Sequence, residues 1–493
     1  MGNKVKNIGL IGLGMVAGMA ATFQFSAFAQ KGELNAPLPL DELRQLADVY
    51  GLIKSDYVEP VEDKKLLSDA IAGMVASLDP HSVYLDRQAF RDMRESVAGK
   101  FVGVGVEVEM EEGYVKVVSP IEDSPAFRVG VKPGDLITRI DSTPVKGLSL
   151  DEAIAKMRGA PKSRVTLTIA RRGDDKPWVV PVTREEIHVQ SVRAKMVEPG
   201  YAWIRISQFQ EATVEELAKK TQALYAQNPN IKGMVLDLRN DPGGLLPGAI
   251  GVSAAFLPKD QVIVSTKGQL ADSNQTFYGR REFYAQAGAD PLAKLPPQVK
   301  TVPLVVLVNT GSASASEIVA GALQDYKRAI VMGSQTFGKG SVQTLRQLTA
   351  DTAVKLTTAR YYTPKGRSIQ ATGIVPDMAV DETPEGDGLN ALRVREADLD
   401  RHLSGGNEKG LPLVKAKQRD ELEEEQRAIA LLKNRKPLEY GSKDDFQLVQ
   451  AINHFKGLPV KMAKAEVEPE KAEPKQVPGT ELKPPELKGL PKK

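Results

Sequence analysis

The sequence predicts a multidomain α/β protein built around a core in which strands and helices alternate and the sheet is largely parallel. Three observations carry this. From about Ile187 onward, short β-branched runs alternate with runs of helical period. The preceding ninety residues read as short strands with one helix among them. Helical periodicity governs both flanks, over Leu40 to Ser96 and again after Asp381.

Taken in order, Leu43, Leu46, Ala47 and Tyr50 recur at helical spacing, with Asp41 placed to cap that helix, and Leu66, Ile71, Met74 and Val75 mark a second helix. Asp79-Pro80-His81 ends it. Val104, Val106 and Val108 alternate with glycine or glutamate. Tyr114 to Val118, Arg164 to Ala170 and Trp178 to Val182 are further strands, and Ser149 to Met157 is a helix between them. The core then runs as strand Ala202 to Ile206, helix Thr213 to Gln227, strand Ile231 to Leu238, helix Leu245 to Phe256, strand Val302 to Val308 and helix Ser316 to Tyr326. Residues 259–301 break this rhythm and are expected to form a long polar insertion loop. Residues 415–435 predict a charged helix, and the Lys/Glu/Pro-rich stretch from Ala463 predicts disorder.

Composition narrows the function. With 66 basic and 63 acidic residues in 493, the net charge of +3 is too balanced for a nucleic-acid surface. The absence of cysteine excludes thiol nucleophiles, thiolate metal sites and disulfides. Lys4 and Lys6 precede an apolar run from Ile8 to Ala21, and Ala27-Phe28-Ala29 has the small-x-small form of a signal-peptidase site. This predicts a cleaved export signal and a periplasmic location, with an uncleaved membrane anchor as the alternative. Gly12-Leu-Gly14-Met-Val-Ala17 nearly matches a dinucleotide fingerprint, but no strand ending in an acidic residue follows it, so it is discounted.

The stretch Asn309 to Asp325 reads NTGSASASEIVAGALQD. Ser314-Ala-Ser-Glu317 fits a capping box, with Ser314 where strand gives way to helix. A hydroxyl there lies beside free helix-start N–H groups, including that of Ala315, which could stabilise an oxyanion. A serine that only caps is the alternative. A nucleophilic serine needs a base, and His81, His188, His402 and His454 all fall outside the loops of the alternating core. A lysine serves if burial lowers its pKa from about 10.4 towards neutrality. Lys339 lies in the glycine-rich, otherwise uncharged Phe337-Gly-Lys-Gly-Ser-Val-Gln343, although a surface lysine in a glycine turn reads similarly. Arg239-Asn-Asp-Pro-Gly243-Gly244 ends another core strand and offers glycine amides. In a parallel core these junctions share the carboxyl ends of the strands.

Together these residues resemble the carboxyl-terminal processing proteases, tail-specific serine proteases with a Ser/Lys dyad. The resemblance rests on Leu78-Asp-Pro-His-Ser82, Phe101-Val-Gly-Val-Gly105, Asp237-Leu-Arg-Asn-Asp-Pro-Gly-Gly244, Gly311-Ser-Ala-Ser-Ala-Ser-Glu-Ile318, Phe337-Gly-Lys-Gly340 with Gln343, Tyr362-Thr-Pro364 and Gly373-Ile-Val-Pro-Asp377. It implies a crotonase/ClpP-like protease core with an inserted PDZ domain and helical N- and C-terminal regions. It implies Ser314 as nucleophile, Lys339 as general base, Gln343 as the side chain that positions the lysine, and the amides of Ala315 and of Gly243 or Gly244 as the oxyanion hole, with no metal or cofactor. It also implies that Val104, Gly105 and Val106 offer amides to a substrate's terminal carboxylate.

The expected boundaries are a signal peptide at 1–29, a helical region at 30–97, a PDZ domain at 98–185, a protease core at 186–381 with the insertion 259–301, a C-terminal helical region at 382–462 and a tail at 463–493. Expected partners are protein or peptide substrates with free C-termini, further copies of the chain, and an adaptor protein. Two rivals stand beside this reading. One is a non-hydrolytic PDZ-type peptide-binding or chaperone-like factor. The other is an acyl-CoA enzyme, since the crotonase architecture also uses backbone oxyanion holes.

Overall fold

The structure is a computed structural model that describes residues 38–121, 123–171, 174, 176–285, 288–384, 386, 393–405 and 438–463. The export segment, the expected helix over 415–435 and the tail beyond residue 463 lie outside the described residues. Among those described, no helix is long and apolar enough to cross a membrane. The chain divides into two compact units, Met1–Ile71 and Ala72–Lys493.

The first unit contributes helix Leu40–Asp56, none of whose residues is buried, so Leu43, Leu46, Val49 and Leu52 are exposed. Asp41 does not cap it. Pro39 holds the N-cap position, and Asp41 instead meets Arg44 at 3.4 Å across one turn.

The second unit is organised around a six-stranded sheet in the order Val192–Glu198, Tyr201–Ile206, Gly233–Asp237, Leu304–Val308, Ile330–Gly333, Met378–Ala379. The first pair is antiparallel and every later pair parallel. Side chains alternate between its two faces. Met234, Leu236, Leu304, Val306 and Val308 join the core beneath helices Thr213–Gln227, Leu246–Phe256 and Ala315–Asp325. Val235, Val305, Leu307 and Met332 pack on the other side against Leu448, Ala451 and Ile452 of helix Phe446–Phe455. Covering both faces is what lets Gly233–Asp237 and Leu304–Val308 be buried at every position. The C-terminal helix is thus part of the same core as this sheet.

A second, antiparallel sheet was not apparent in the local pattern. The long strand Ala353–Tyr362 pairs with Ser341–Gln347 along one edge, and with Val83–Leu85 and Val262–Gly268 along the other. Val262–Gly268 pairs in turn with Gln275–Tyr278. The expected loop over 259–301 is therefore a hairpin with short helical turns, because its polar alternation is the outer face of a sheet edge. Likewise, Val83–Leu85 takes the end of the N-terminal helical region into this sheet.

Strands Val106–Glu111, Tyr114–Pro120, Leu136–Ile140, Arg164–Ala170 and Trp178–Thr183, with helices Pro125–Arg128 and Leu150–Met157, form a separate core around Val115, Val117, Ile137, Leu167 and Ile169. The chain enters and leaves this module through adjacent strands, Lys100–Gly103 paired antiparallel with Glu185–His188, as an inserted domain requires.

Candidate active site

Of the three serines in the Ser-x-Ser-x-Ser run, two are fully buried and committed to neighbouring backbone. Ser312 Oγ donates to the Leu238 carbonyl at 2.8 Å and accepts from Asn309 N–H at 3.0 Å, while Ser316 Oγ donates to the Asp241 carbonyl at 3.0 Å. Ser314 alone faces a cleft of about 1330 Å³, which it lines with Lys339, Gln343, Gly243, Gly244 and Lys355. It is the N-cap residue of Ala315–Asp325, with φ 54° and ψ −109°. A residue with a Cβ is strained there, by an amount typically on the order of 1–3 kcal/mol. The turn swings the Ser314 side chain out of the packed line of its neighbours.

What holds the turn is Glu317, fully buried three residues on. Its Oε2 accepts from Ser314 N–H at 2.7 Å and from Lys339 N–H at 2.9 Å. Its Oε1 accepts from Thr336 Oγ1 at 2.5 Å and from Gly338 N–H at 2.7 Å. Burial pushes this carboxyl up to about 7, and the four donors hold it back from rising further. Sequence reasoning placed Glu317 at the third helical position; its reach to the Lys339 loop is a tertiary fact with no local signal.

Lys339 is half-buried, and burial lowers its pKa. The like charge of Lys355 lowers it further, whereas Glu396, Glu317 and Asp79 oppose the shift. Among the described residues no hydrogen bond joins Ser314 Oγ to Lys339 Nζ, although both side chains line the same cleft. Gln343 Nε2 donates to Ser341 Oγ at 2.9 Å and Thr357 Oγ1 at 3.2 Å, so its hydrogen bonds here run to these hydroxyls and not to Lys339.

The two glycines differ. Gly243 packs so tightly under the serine turn that a Cβ would lie 2.8 Å from the Ala313 carbonyl oxygen and 2.9 Å from Ser314 Cβ, at a φ of 96°. Its N–H is spent on Asp241 Oδ1 at 2.9 Å. The N–H groups of Gly244 and Ala315 are hydrogen-bonded to nothing among the described residues. Asp241 is fully buried with Oδ2 unpartnered, and burial pushes its carboxyl well up. Below this loop, buried Arg239 makes paired bonds to Asp237 at 2.9 and 2.6 Å and to Asp445 at 2.8 and 2.6 Å. Burial opposes the guanidinium charge, yet these carboxylates hold it well above its ordinary range.

In the inserted module, Val104, Gly105 and Val106 line a separate groove of about 190 Å³ with Phe101, Ile154 and Met157. Gly105 has φ 78°, and a Cβ on it would lie 2.3 Å from Ser124 Cβ, so glycine is required there.

Residues 200–380 match Peptidase family S41, residues 102–182 a PDZ domain and residues 14–89 the activating protease CtpB N-terminal domain. A carboxy-terminal-processing protease of Bartonella bacilliformis is 44% identical over 370 residues, covering 74% of this chain and 82% of the relative. A probable CtpA-like serine protease of Staphylococcus aureus is 39% identical over 352 residues, covering 71% and 67%. A solved photosystem II D1 C-terminal processing protease is 30% identical, covers 69% of this chain and 86% of that one, and superposes with a TM-score of 0.39. On its sequence relationship to the curated relatives, this chain belongs to the carboxy-terminal-processing proteases of peptidase family S41: it is a serine-type peptidase with a PDZ domain.

Proposed function

We propose that the protein cleaves exported proteins at or near their C-termini with Ser314 as nucleophile and Lys339 as general base. The observation that carries this is the division among the serines: Ser312 and Ser316 are buried and hydrogen-bonded, and Ser314 opens into the cleft that also holds a half-buried lysine of lowered pKa. Neutral Lys339 takes the Ser314 proton as Oγ attacks the scissile carbonyl. The Ala315 N–H and, of the two glycines, that of Gly244 are free to receive the oxyanion. The lysine ammonium then returns the proton to the departing amine, leaving an acyl-serine ester. Lys339 next removes a proton from water, the hydroxide releases the acid, and Ser314 recovers its proton.

The apolar groove beside Val104, Gly105 and Val106 supports capture of an apolar C-terminal residue as an added strand. The charged, then apolar N-terminus with Ala27-Phe28-Ala29 supports export and a periplasmic location. The exposed apolar stripe of Leu40–Asp56 supports self-association, and an adaptor could use the same surface. The test is digestion of one unfolded protein by the wild type and by Ser312→Ala, Ser314→Ala, Ser316→Ala and Lys339→Ala. Cleavage is expected to vanish in the second and fourth and to persist in the others. Fragments from a folded Ser314→Ala or Lys339→Ala protein would exclude the dyad, and binding without fragments in the wild type would favour the non-hydrolytic reading.

A further inference from the structure

The Leu78-Asp-Pro-His-Ser82 motif lies far from the dyad in sequence, yet its turn is built against the segment that carries it. Asp79 is buried, and its carboxylate is fully subscribed: Oδ1 accepts from His81 N–H and Ser82 N–H at 2.9 Å each and from Thr357 Oγ1 at 3.0 Å, and Oδ2 from Ser82 Oγ at 2.6 Å. Burial disfavours the ionised form, but these donors outweigh it and keep the carboxyl below its ordinary value. An ionised carboxylate can only accept. The Thr357 hydroxyl has one proton, and that proton goes to Asp79. Towards Gln343 it can therefore only accept, which it does from Nε2 at 3.2 Å. With Nε2 turned to Thr357 and Ser341, the Gln343 Oε1 is left for the cleft, where Lys339 also lies.

The same turn reaches the other end of this segment. His81 Nε2 lies 2.7 Å from Glu396 Oε2, Glu396 Oε1 accepts from Gln370 Nε2 at 2.7 Å, and Gln370 Oε1 accepts from Gly340 N–H at 3.0 Å. Gly340 and Gln343 are thus both tied to a single turn at residues 79–82.

We infer that Asp79 is a positioning residue for the dyad: through the Thr357 hydroxyl it fixes the direction of the Gln343 amide, so that Oε1 is presented as an acceptor for a proton carried by Lys339. The inference rests on the Ser314/Lys339 reading. During attack, lysine gains a proton and needs an acceptor, and an oxygen supplies one where an amide NH2 group would repel it.

The experiment measures kcat and KM on one peptide substrate for Thr357→Val, Thr357→Ser, Asp79→Asn and the double variant Asp79→Asn/Thr357→Val, beside Ser314→Ala and Lys339→Ala. Thr357→Val keeps the shape and deletes the relay, and should lower kcat by about 10- to 100-fold with KM changed less than about twofold. Thr357→Ser restores the hydroxyl and should restore kcat. Asp79→Asn can reverse the relay and should fall likewise, and the double variant should be no worse than the poorer single one, since both cut one path. Wild-type kcat in folded Thr357→Val, a loss not rescued by serine, or additive losses overturn the inference, while inactive Ser314→Ala and Lys339→Ala leave the dyad standing. Activity in either of those controls instead removes the dyad and this inference with it. If Thr357→Val does not fold, Thr357→Ala is read by the same criteria.

Discussion

Ser314 and Lys339 donate their backbone N–H groups to one oxygen, Oε2 of Glu317, at 2.7 and 2.9 Å. The two residues proposed as nucleophile and base are therefore registered to each other through a buried carboxylate and not through their own side chains. Glu317→Gln keeps the volume but faces two of four donors with an NH2 group. It should cost about 2–6 kcal/mol, from two donors left unpaired at roughly 1–3 kcal/mol each. Cleavage should fall at least about 100-fold because the Ser314 turn and the Lys339 loop lose common register. Denaturant unfolding and peptide kinetics check this, and a stable, active Glu317→Gln protein would refute it.

Lys339 should make the fold less stable in return for activity. Its folded pKa lies below its unfolded value, so this group contributes most above the unfolded pKa, and that contribution is lost as pH falls through the folded pKa. Near neutrality the buried amine is a net cost. Lys339→Met should therefore raise Tm while abolishing cleavage. A lower Tm would mean that the lysine is satisfied in a way its surroundings do not suggest.

Lys355 lines the cleft on the strand that carries Thr357, and its charge helps depress the Lys339 pKa. In Lys355→Met that pKa should rise, so the acid limb of kcat/KM against pH, where lysine loses its proton, should move to higher pH. Activity near pH 7 should then fall and recover in alkaline buffer. A limb that stays in place would show that the two amines are uncoupled.

Gly105→Ala should separate recognition from chemistry. The methyl group has no room beside Ser124, and the positive φ is unfavourable for alanine. KM for a substrate with an apolar C-terminus is expected to rise about tenfold, or roughly 1.4 kcal/mol, with kcat little changed. An equal fall in kcat would instead couple this groove directly to the dyad.

The serine and lysine motifs were legible because each is a local event: small residues, a strand end, a helix start, and a lysine among glycines. The parallel core was legible for the same reason, since its strands and helices each carry their own period. The antiparallel sheet was not. Ala353–Tyr362 gains its partners from Val83–Leu85 and Val262–Gly268, and such remote pairing leaves only weak alternation behind. This is also why 259–301 read as a loop. His81 was set aside as lying outside the core loops, yet through Glu396 and Gln370 it reaches Gly340. Gln343 shows a third limit: a resemblance can nominate an amide, but the direction in which it points is set by Asp79, which is 278 positions from the Thr357 that transmits it.

Arg239 and Asp445 are 206 residues apart, and the loop bearing Gly243 and Gly244 sits directly above their buried pairing. During synthesis, the loop must wait for its counter-charge until most of the polypeptide has left the ribosome. Until then the guanidinium lacks the paired bonds to Asp445 that it makes in the folded core. Breaking such a pair by removing one partner costs about 3–5 kcal/mol. A chain ending before Asp445 should therefore be inactive, and chains ending before and after that residue, assayed on the same peptide, would show whether proteolysis depends on this pair.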